Sequence, residues 1–488
     1  MQHSQLQRAF ILALMLIPSL NGCEKAAISP PADEDAGEDS SSTPPIRSLQ
    51  YTPNGCAYEV ATPEVRRTGM GQDVFGTDRA IPEHVHVSFA GDATTTLAVN
   101  WFTDNETLAT QILYGTSREA VTAASDATDN VRGQSGHYMF IANGPGTNVD
   151  ETLVHEVHIC GLNEDTTYYY KVGGPDHWSE VFDVATSPPL GTADAWTLAV
   201  SGDSRNNQEN AWALINQQLA SAGVDLHVFS GDAVFLGLLQ TNWTDFFEAR
   251  AGDFKVQDLM ARVPFMSANG NHEGLAVNYV AQFAFPQEVS PDELAQGEEW
   301  YSFDYGNAHF VVLNDSVADS SVIAGSQATW LRADLAAVDR SVTPWIIVSH
   351  HRSFYTCRST HSPATNLRTA WQPIFDEFAV DFVVNGHNHV YERSLPIRGL
   401  LEGEGQLAAA GPNGIPTHEA GRPSGTIYLV SGGAGAPLYD VSDECPTTFV
   451  ANAVHHYLLF EFEGTTVNFR ALNPLTETVL DSFTYTKE

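Results

Sequence analysis

Positive charge is scarce in this chain. Its 488 residues hold 23 Lys and Arg against 60 Asp and Glu, a formal net charge of −37. A nucleic-acid surface needs Lys and Arg to displace counterions from phosphates, so no nucleic-acid partner is expected. The plain reading of the charge is a soluble acidic surface. Long apolar runs are missing too: the N-terminal run from Ala9 to Leu20 is too short to span a bilayer. Cysteine is rare, with five residues and no C-x-x-C spacing, which speaks against zinc binding by thiolates. No internal repeat occurs, which excludes solenoid architectures.

What the N-terminus does contain is a targeting segment. Arg8 precedes the apolar run, and Leu20-Asn21-Gly22-Cys23 resembles a bacterial lipobox with Cys23 as the lipidated residue. Residues 1–22 therefore read as a lipoprotein signal peptide. Residues 23–50 are dominated by Ala, Asp, Glu, Ser and Pro and read as a disordered acidic tether. The expected location is outside the cytoplasm, lipid-anchored to a bacterial membrane, with plain secretion as the alternative. Setting Cys23 aside leaves Cys56, Cys160, Cys357 and Cys445. An even number in an exported chain suggests disulfides, for which three pairings exist. Cys56–Cys160 and Cys357–Cys445 are favoured, because each bridge then stays within one expected domain.

Those domains follow from texture. A chain of this length suggests two cores plus tails. Over residues 84–186 the pattern has period two: Leu97, Val99 and Trp101 alternate with polar residues, as do Tyr168, Tyr170 and Val172. This predicts half-buried antiparallel strands and an all-β sandwich over residues 51–188. Its aromatics are read as core in preference to a carbohydrate platform. From Trp196 the runs become almost continuously apolar, as in Val224–Phe229, Trp345–Val348 and Val380–Val384. Such runs suit strands buried on both faces. Amphipathic helical stretches lie between them, notably Glu209–Ala220 and Gln327–Val338. Residues 189–488 thus predict an α/β domain, a β-sheet sandwich flanked by helices.

Five clusters carry the chemistry: Gly202-Asp203, Gly231-Asp232, Gly270-Asn271-His272-Glu273, His350-His351 and Gly386-His387-Asn388-His389. Each follows an apolar run. Together they supply carboxylate, amide and imidazole groups, the ligand set of a two-metal hydrolase. A carboxylate can bridge two cations about 3.5–4 Å apart. Any single Gly-Asp is more often an ordinary turn; the joint pattern is what carries the reading.

The sequence resembles a purple acid phosphatase-like member of the calcineurin-like metallophosphoesterase superfamily. The resemblance runs from about residue 84 onward. It rests on the five clusters, on Gly386-His387-Asn388-His389-Val390-Tyr391-Glu392-Arg393, on Trp300 to Gly306, and on a fibronectin type III-like segment ahead of the α/β domain, seen in Leu162 to Tyr168. It implies that Asp203, Asp232 and His389 hold a first metal, and that Asn271, His351 and His387 hold a second, with Asp232 bridging. His351 is preferred to His350 because Val348-Ser349-His350-His351 matches a V-x-x-H motif. His272 would sit beside the phosphate with Asn271, His361 falls where the plant enzymes carry a substrate-facing His, and Arg205 reads as either a phosphate contact or a surface charge. The implied cofactors are two divalent or mixed-valence ions, with zinc, manganese and iron open. The implied activity is hydrolysis of a phosphate monoester by a metal-activated hydroxide, with His272 stabilising charge or protonating the leaving group. A phosphodiesterase or nucleotide hydrolase is the alternative, and a binding protein with a degenerate metal site a third. One departure is visible. The family's G-D-x-x-Y reads Gly231-Asp232-Ala233-Val234-Phe235, and the superfamily's other pattern, D-x-H, reads Asp203-Ser204-Arg205. The first site is therefore one protein ligand short, and no tyrosinate is available there for ferric iron. The substrate, metal identity and oligomeric state are not legible.

Overall fold

Period-two and continuously apolar segments become two different kinds of sheet. A computed structural model of the chain describes residues 48–63, 66–68, 71–141, 152–274, 276–287, 298–317, 320–357, 360–419, 422–442 and 445–487. The expected signal peptide, Cys23 and most of the expected tether lie outside the described residues. The tether was placed up to residue 50, but Ser48–Tyr51 pairs antiparallel with Val60–Pro63, so ordered backbone begins earlier.

The N-terminal region is a β-rich sandwich. One sheet has the spatial order Arg66–Thr68, His137–Ile141, Thr152–Cys160, Thr96–Asp104, Glu83–Ser88; the other runs Phe182–Ala185, Thr167–Gly173, Gln111–Gly115, Arg132–Ser135. Leu97, Val99, Trp101, Ile112, Tyr170 and Val172 share its core. The Tyr168 hydroxyl accepts the Asn163 N–H at 2.9 Å, fixing the turn before its strand. Alternation along Thr96–Asp104 predicts one wet face, yet every residue of that strand is buried. The polar face is covered by the second region and hydrogen-bonded to it. Asn100 Nδ2 donates to Ala281 O at 3.5 Å, and from the neighbouring strand Glu83–Ser88 the Ser88 Oγ donates to Ala284 O at 2.7 Å and Val85 N to Gln257 Oε1 at 3.0 Å. Polar side chains that read as solvated are instead satisfied across a domain boundary.

The second region is an α/β sandwich of two sheets. In the first, Trp196–Ser201, Leu226–Phe229 and Phe265–Ser267 are parallel neighbours, and Tyr457–Glu463, Thr466–Leu472 and Val479–Thr486 continue the sheet antiparallel. In the second, Ala308–Val312, Trp345–Ser349, Phe382–Asn385 and Ile427–Ser431 are parallel. Helices Ala211–Ala222 and Thr365–Phe378 flank the sheets. The five clusters leave the carboxyl ends of five of these parallel strands, where open α/β sheets gather ligands.

Candidate metal centre

Three of the turns that carry the site are strained. Asp203, Asp232 and His387 adopt φ of +58°, +58° and +66°. Side chains with a Cβ rarely sit there, and such residues cluster at functional sites. Glycines make room beside them: a Cβ on Gly386 would come within 2.3 Å of Asp203 Oδ2, and one on Gly270 within 2.2 Å of Asp232 Oδ1. The carboxylates are thus wedged against backbone that only glycine can provide.

Asp232, His351 and His387 converge, with ligand atoms all within 4.8 Å of one another. His351 donates Nδ1–H to Ser230 O at 2.9 Å, so its Nε2 lone pair faces inward. That nitrogen lies 3.2 Å from Asp232 Oδ2, 3.1 Å from Asn271 Oδ1 and 3.2 Å from His387 Nδ1. Burial opposes charge on His351, but Asp232, Asp203 and Asp315 outweigh it and raise its pKa to about 10. Burial, with His351 and His361 nearby, pushes His387 down to about 2. The cluster therefore calls for a cation held between a carboxylate, an amide oxygen and two imidazoles, and this donor set fits a divalent metal. His350 turns the other way. It is fully buried, with Nδ1 3.2 Å from Asp315 Oδ2 and its ring against Phe354 and Trp371.

The set Asp203, Asp232 and His389 is arranged differently. His389 donates Nδ1–H to Pro437 O at 2.6 Å, and its Nε2 lies 3.4 Å from Asp203 Oδ1. The same Nε2 accepts from Arg205 Nη2 at 2.9 Å. Arg205 also contacts His272 Nε2 through Nη1 and lies 3.8 Å from Asp232 Oδ2 through Nε. It is thus no surface charge. His272 donates Nδ1–H to Phe235 O at 2.6 Å and its backbone N–H to Asp232 Oδ1 at 3.0 Å. The Phe235 ring is 56 % exposed and turns toward His272. The His361 ring packs tilted against that of His387, with centroids 4.0 Å apart.

Three further groups had no assigned role. Glu273 is buried and its carboxylate accepts the backbone N–H of Asp232, Ala233 and Gly270 at 3.0, 2.6 and 2.8 Å. Burial first, and Asp232 second, raise its pKa to about 7. Its place in Gly270-Asn271-His272-Glu273 was visible, but its partners are backbone groups that no motif displays. Asp315 anchors Arg352 as well as His350. Tyr439 stacks on His389 at 4.0 Å and its hydroxyl lies 3.4 Å from His361 Nε2. It sits in no recognisable motif, and nothing in the local sequence signals it.

A family profile described as "Purple acid Phosphatase, N-terminal domain" matches residues 82–186, and one described as "Calcineurin-like phosphoesterase" matches residues 197–391. The chain belongs to the calcineurin-like phosphoesterases, on their purple acid phosphatase branch. Purple acid phosphatase 18 of Arabidopsis thaliana is 27% identical over 363 residues, covering 71% of this chain and 72% of the relative. An uncharacterized protein of Mycobacterium tuberculosis is 27% identical over 385 residues, covering 72% and 69%. Among solved structures, a purple acid phosphatase from yellow lupin seeds aligns with TM-score 0.66 at 19% identity, covering 83% of this chain and 74% of that one. PhoD aligns with TM-score 0.58 at 13% identity, covering 85% and 92%. These two likenesses concern the fold. As a member of this family the protein is a phosphoesterase hydrolase, and its activity depends on metal.

Proposed function

We propose that this phosphoesterase is an acid phosphatase-like phosphomonoesterase acting outside the cytoplasm. The observation that carries the reading is the convergence of Asp232, His351 and His387, with Asn271 Oδ1 completing the donor set. A zinc, manganese or iron ion bound there would supply the Lewis acidity that makes water a nucleophile near neutral pH. The remaining work falls to the chain. Asn271 orients a phosphate oxygen, and Arg205 supplies fixed positive charge. His272 holds a proton on Nδ1 against Phe235 O and takes Arg205 Nη1 on Nε2, so its part is to fix the guanidinium where charge develops on the phosphate. His361 packs beside His387. A cavity of about 420 Å³ adjoins Arg205, with Phe235, Asp245 and Glu248 in its lining. Its acidic rim suits a neutral or cationic organic group rather than a second anion.

The same reading includes export and a lipid on Cys23, supported by the lipobox-like tetrad and by the two disulfides, Cys56–Cys160 and Cys357–Cys445. Mass spectrometry of the mature N-terminus decides this: a free amine on any residue other than Cys23 refutes the anchor. For the activity, metal-loaded protein is assayed on p-nitrophenyl phosphate and bis-p-nitrophenyl phosphate. Preference for the monoester supports the proposal. Preference for the diester replaces it with a phosphodiesterase, and no turnover of either, with metal bound, replaces it with a binding protein.

A further inference from the structure

We infer that the Arg205 guanidinium takes the place of the first metal, so that the centre holds one tightly bound ion and one built-in cation. This rests on the metal-dependent reading above. The family pattern asks three groups, Asp203, Asp232 and His389, to hold that ion, with a tyrosine or a histidine added. Here both added positions have changed: Phe235 has no donor atom, and Arg205 stands where D-x-H has its imidazole.

The geometry goes further than a missing ligand. An imidazole has two nitrogens, and a nitrogen that accepts a hydrogen bond with its lone pair has none left for a metal. The Nδ1–H of His389 is committed to Pro437 O at 2.6 Å, so Nε2 is its one ligating atom, and Arg205 Nη2 occupies it at 2.9 Å. The guanidinium keeps its charge at every working pH, so it cannot surrender this role as a lysine or histidine could. Its Nη1 is held on His272 Nε2, and its Nε faces Asp232 Oδ2 at 3.8 Å. Two nitrogens of the group are thus hydrogen-bonded to residues that a first metal would use or adjoin, and the third faces the bridging carboxylate. The Asp203 and Asp232 carboxylates are fully buried, and buried charge requires a counter-charge. The guanidinium contributes that charge from inside the chain. A divalent ion placed among the same three groups would have to break the His389 contact and meet like charge.

His351 and His387 are not affected in this way. Among the described residues Arg205 hydrogen-bonds to neither, and the inward nitrogen of His351 faces Asp232 Oδ2, Asn271 Oδ1 and His387 Nδ1. In the first set, then, the one ligating nitrogen of His389 is already taken by the guanidinium, whereas Asp203 Oδ1 has charge but no hydrogen bond to balance it; in the second set both imidazoles are clear of Arg205.

The test is a metal count on the full mature protein. Apo protein is titrated with Zn²⁺ and with Mn²⁺ by calorimetry, and loaded samples are analysed by mass spectrometry for metal per chain. Wild type is expected to bind one tight equivalent, with the Mn²⁺ form giving an uncoupled spin-resonance spectrum. Arg205→His, which restores D-x-H, is expected to bind two, with a second Kd at least tenfold lower than any second event in wild type and a spin-coupled Mn²⁺ signal. Two tight equivalents in wild type overturn the inference while leaving the hydrolase reading intact. No bound metal in wild type overturns that reading and this inference with it. If Arg205→His fails to fold, the wild-type count and spectrum decide alone.

Discussion

The Asp232 carboxylate is met on both oxygens: the His272 N–H donates to Oδ1, and His351 Nε2 lies 3.2 Å from Oδ2. Asp232→Asn keeps the shape and removes the charge that these groups surround. It is expected to lower kcat/KM by roughly a hundredfold or more and to lower metal content in parallel. Asp339→Asn, at a fully exposed turn, serves as the control and should leave both unchanged. Near-normal turnover and metal content in Asp232→Asn would contradict the site. Colour is a second residue-scale question. Tyrosinate on ferric iron gives the family's charge-transfer band, and Phe235 has no oxygen to offer. Tyr355 is bonded to Gln372, and Tyr391 to Asp481 at 2.7 Å. The iron-loaded protein is therefore expected to be colourless. A purple sample that bleaches in Tyr439→Phe would show that Tyr439, the tyrosine stacked on His389, reaches the metal instead.

At the scale of elements, the edge hairpin Tyr301–Tyr305 and Ala308–Val312 is fastened to helix Ala328–Ala337 by His309. Its ring lies between Asp304 at 2.7 Å and Asp334 at 3.0 Å. Burial opposes the charge, but the two carboxylates outweigh it and raise the pKa from 6.5 to about 9. Because the folded value exceeds the unfolded one, this stabilisation is complete below pH 6.5 and is lost as pH rises through about 9. His309→Gln should cost about 2 kcal/mol below pH 6.5, a figure reduced from the full shift because Asp304 is partly solvated. Thermal melts across pH should show the gap between variant and wild type closing above pH 9. The elements themselves were largely legible. Buried parallel strands advertise themselves as runs such as Trp345–Ser349, and the Gly-Asp and Gly-His turns mark where those runs end. What stayed hidden is whatever depends on a distant partner. The polar face of Thr96–Asp104 looks wet until the second region covers it. Arg205 looks like either a contact or a surface charge until His389, 184 positions away, is brought to its guanidinium. Tyr439 has no signature because stacking on an imidazole needs no neighbouring residues in sequence.

Across the whole molecule, each disulfide has its own task. Cys56–Cys160 ties the N-terminal hairpin region to the sandwich over 104 residues, and Cys357–Cys445 closes the loop that carries His361 onto the segment that carries Tyr439. Loss of the first, in the pair Cys56→Ser and Cys160→Ser, should lower stability by about 4 kcal/mol and leave KM unchanged. Loss of the second, in Cys357→Ser with Cys445→Ser, should raise KM, because the wall beside His387 loses its fastening. Equal effects of both on KM would contradict this division. The centre itself stands between two sheets: Asp232 and Asn271 leave strands of one, His351 and His387 leave strands of the other. An ion held by all four spans the seam and binds the folded form alone. At a thousandfold excess over its Kd it adds about 4 kcal/mol to folding. The lifetime of the chain in the presence of proteases then follows the free metal in its surroundings, since the opened molecules that proteases cut become more numerous as the ion is withdrawn.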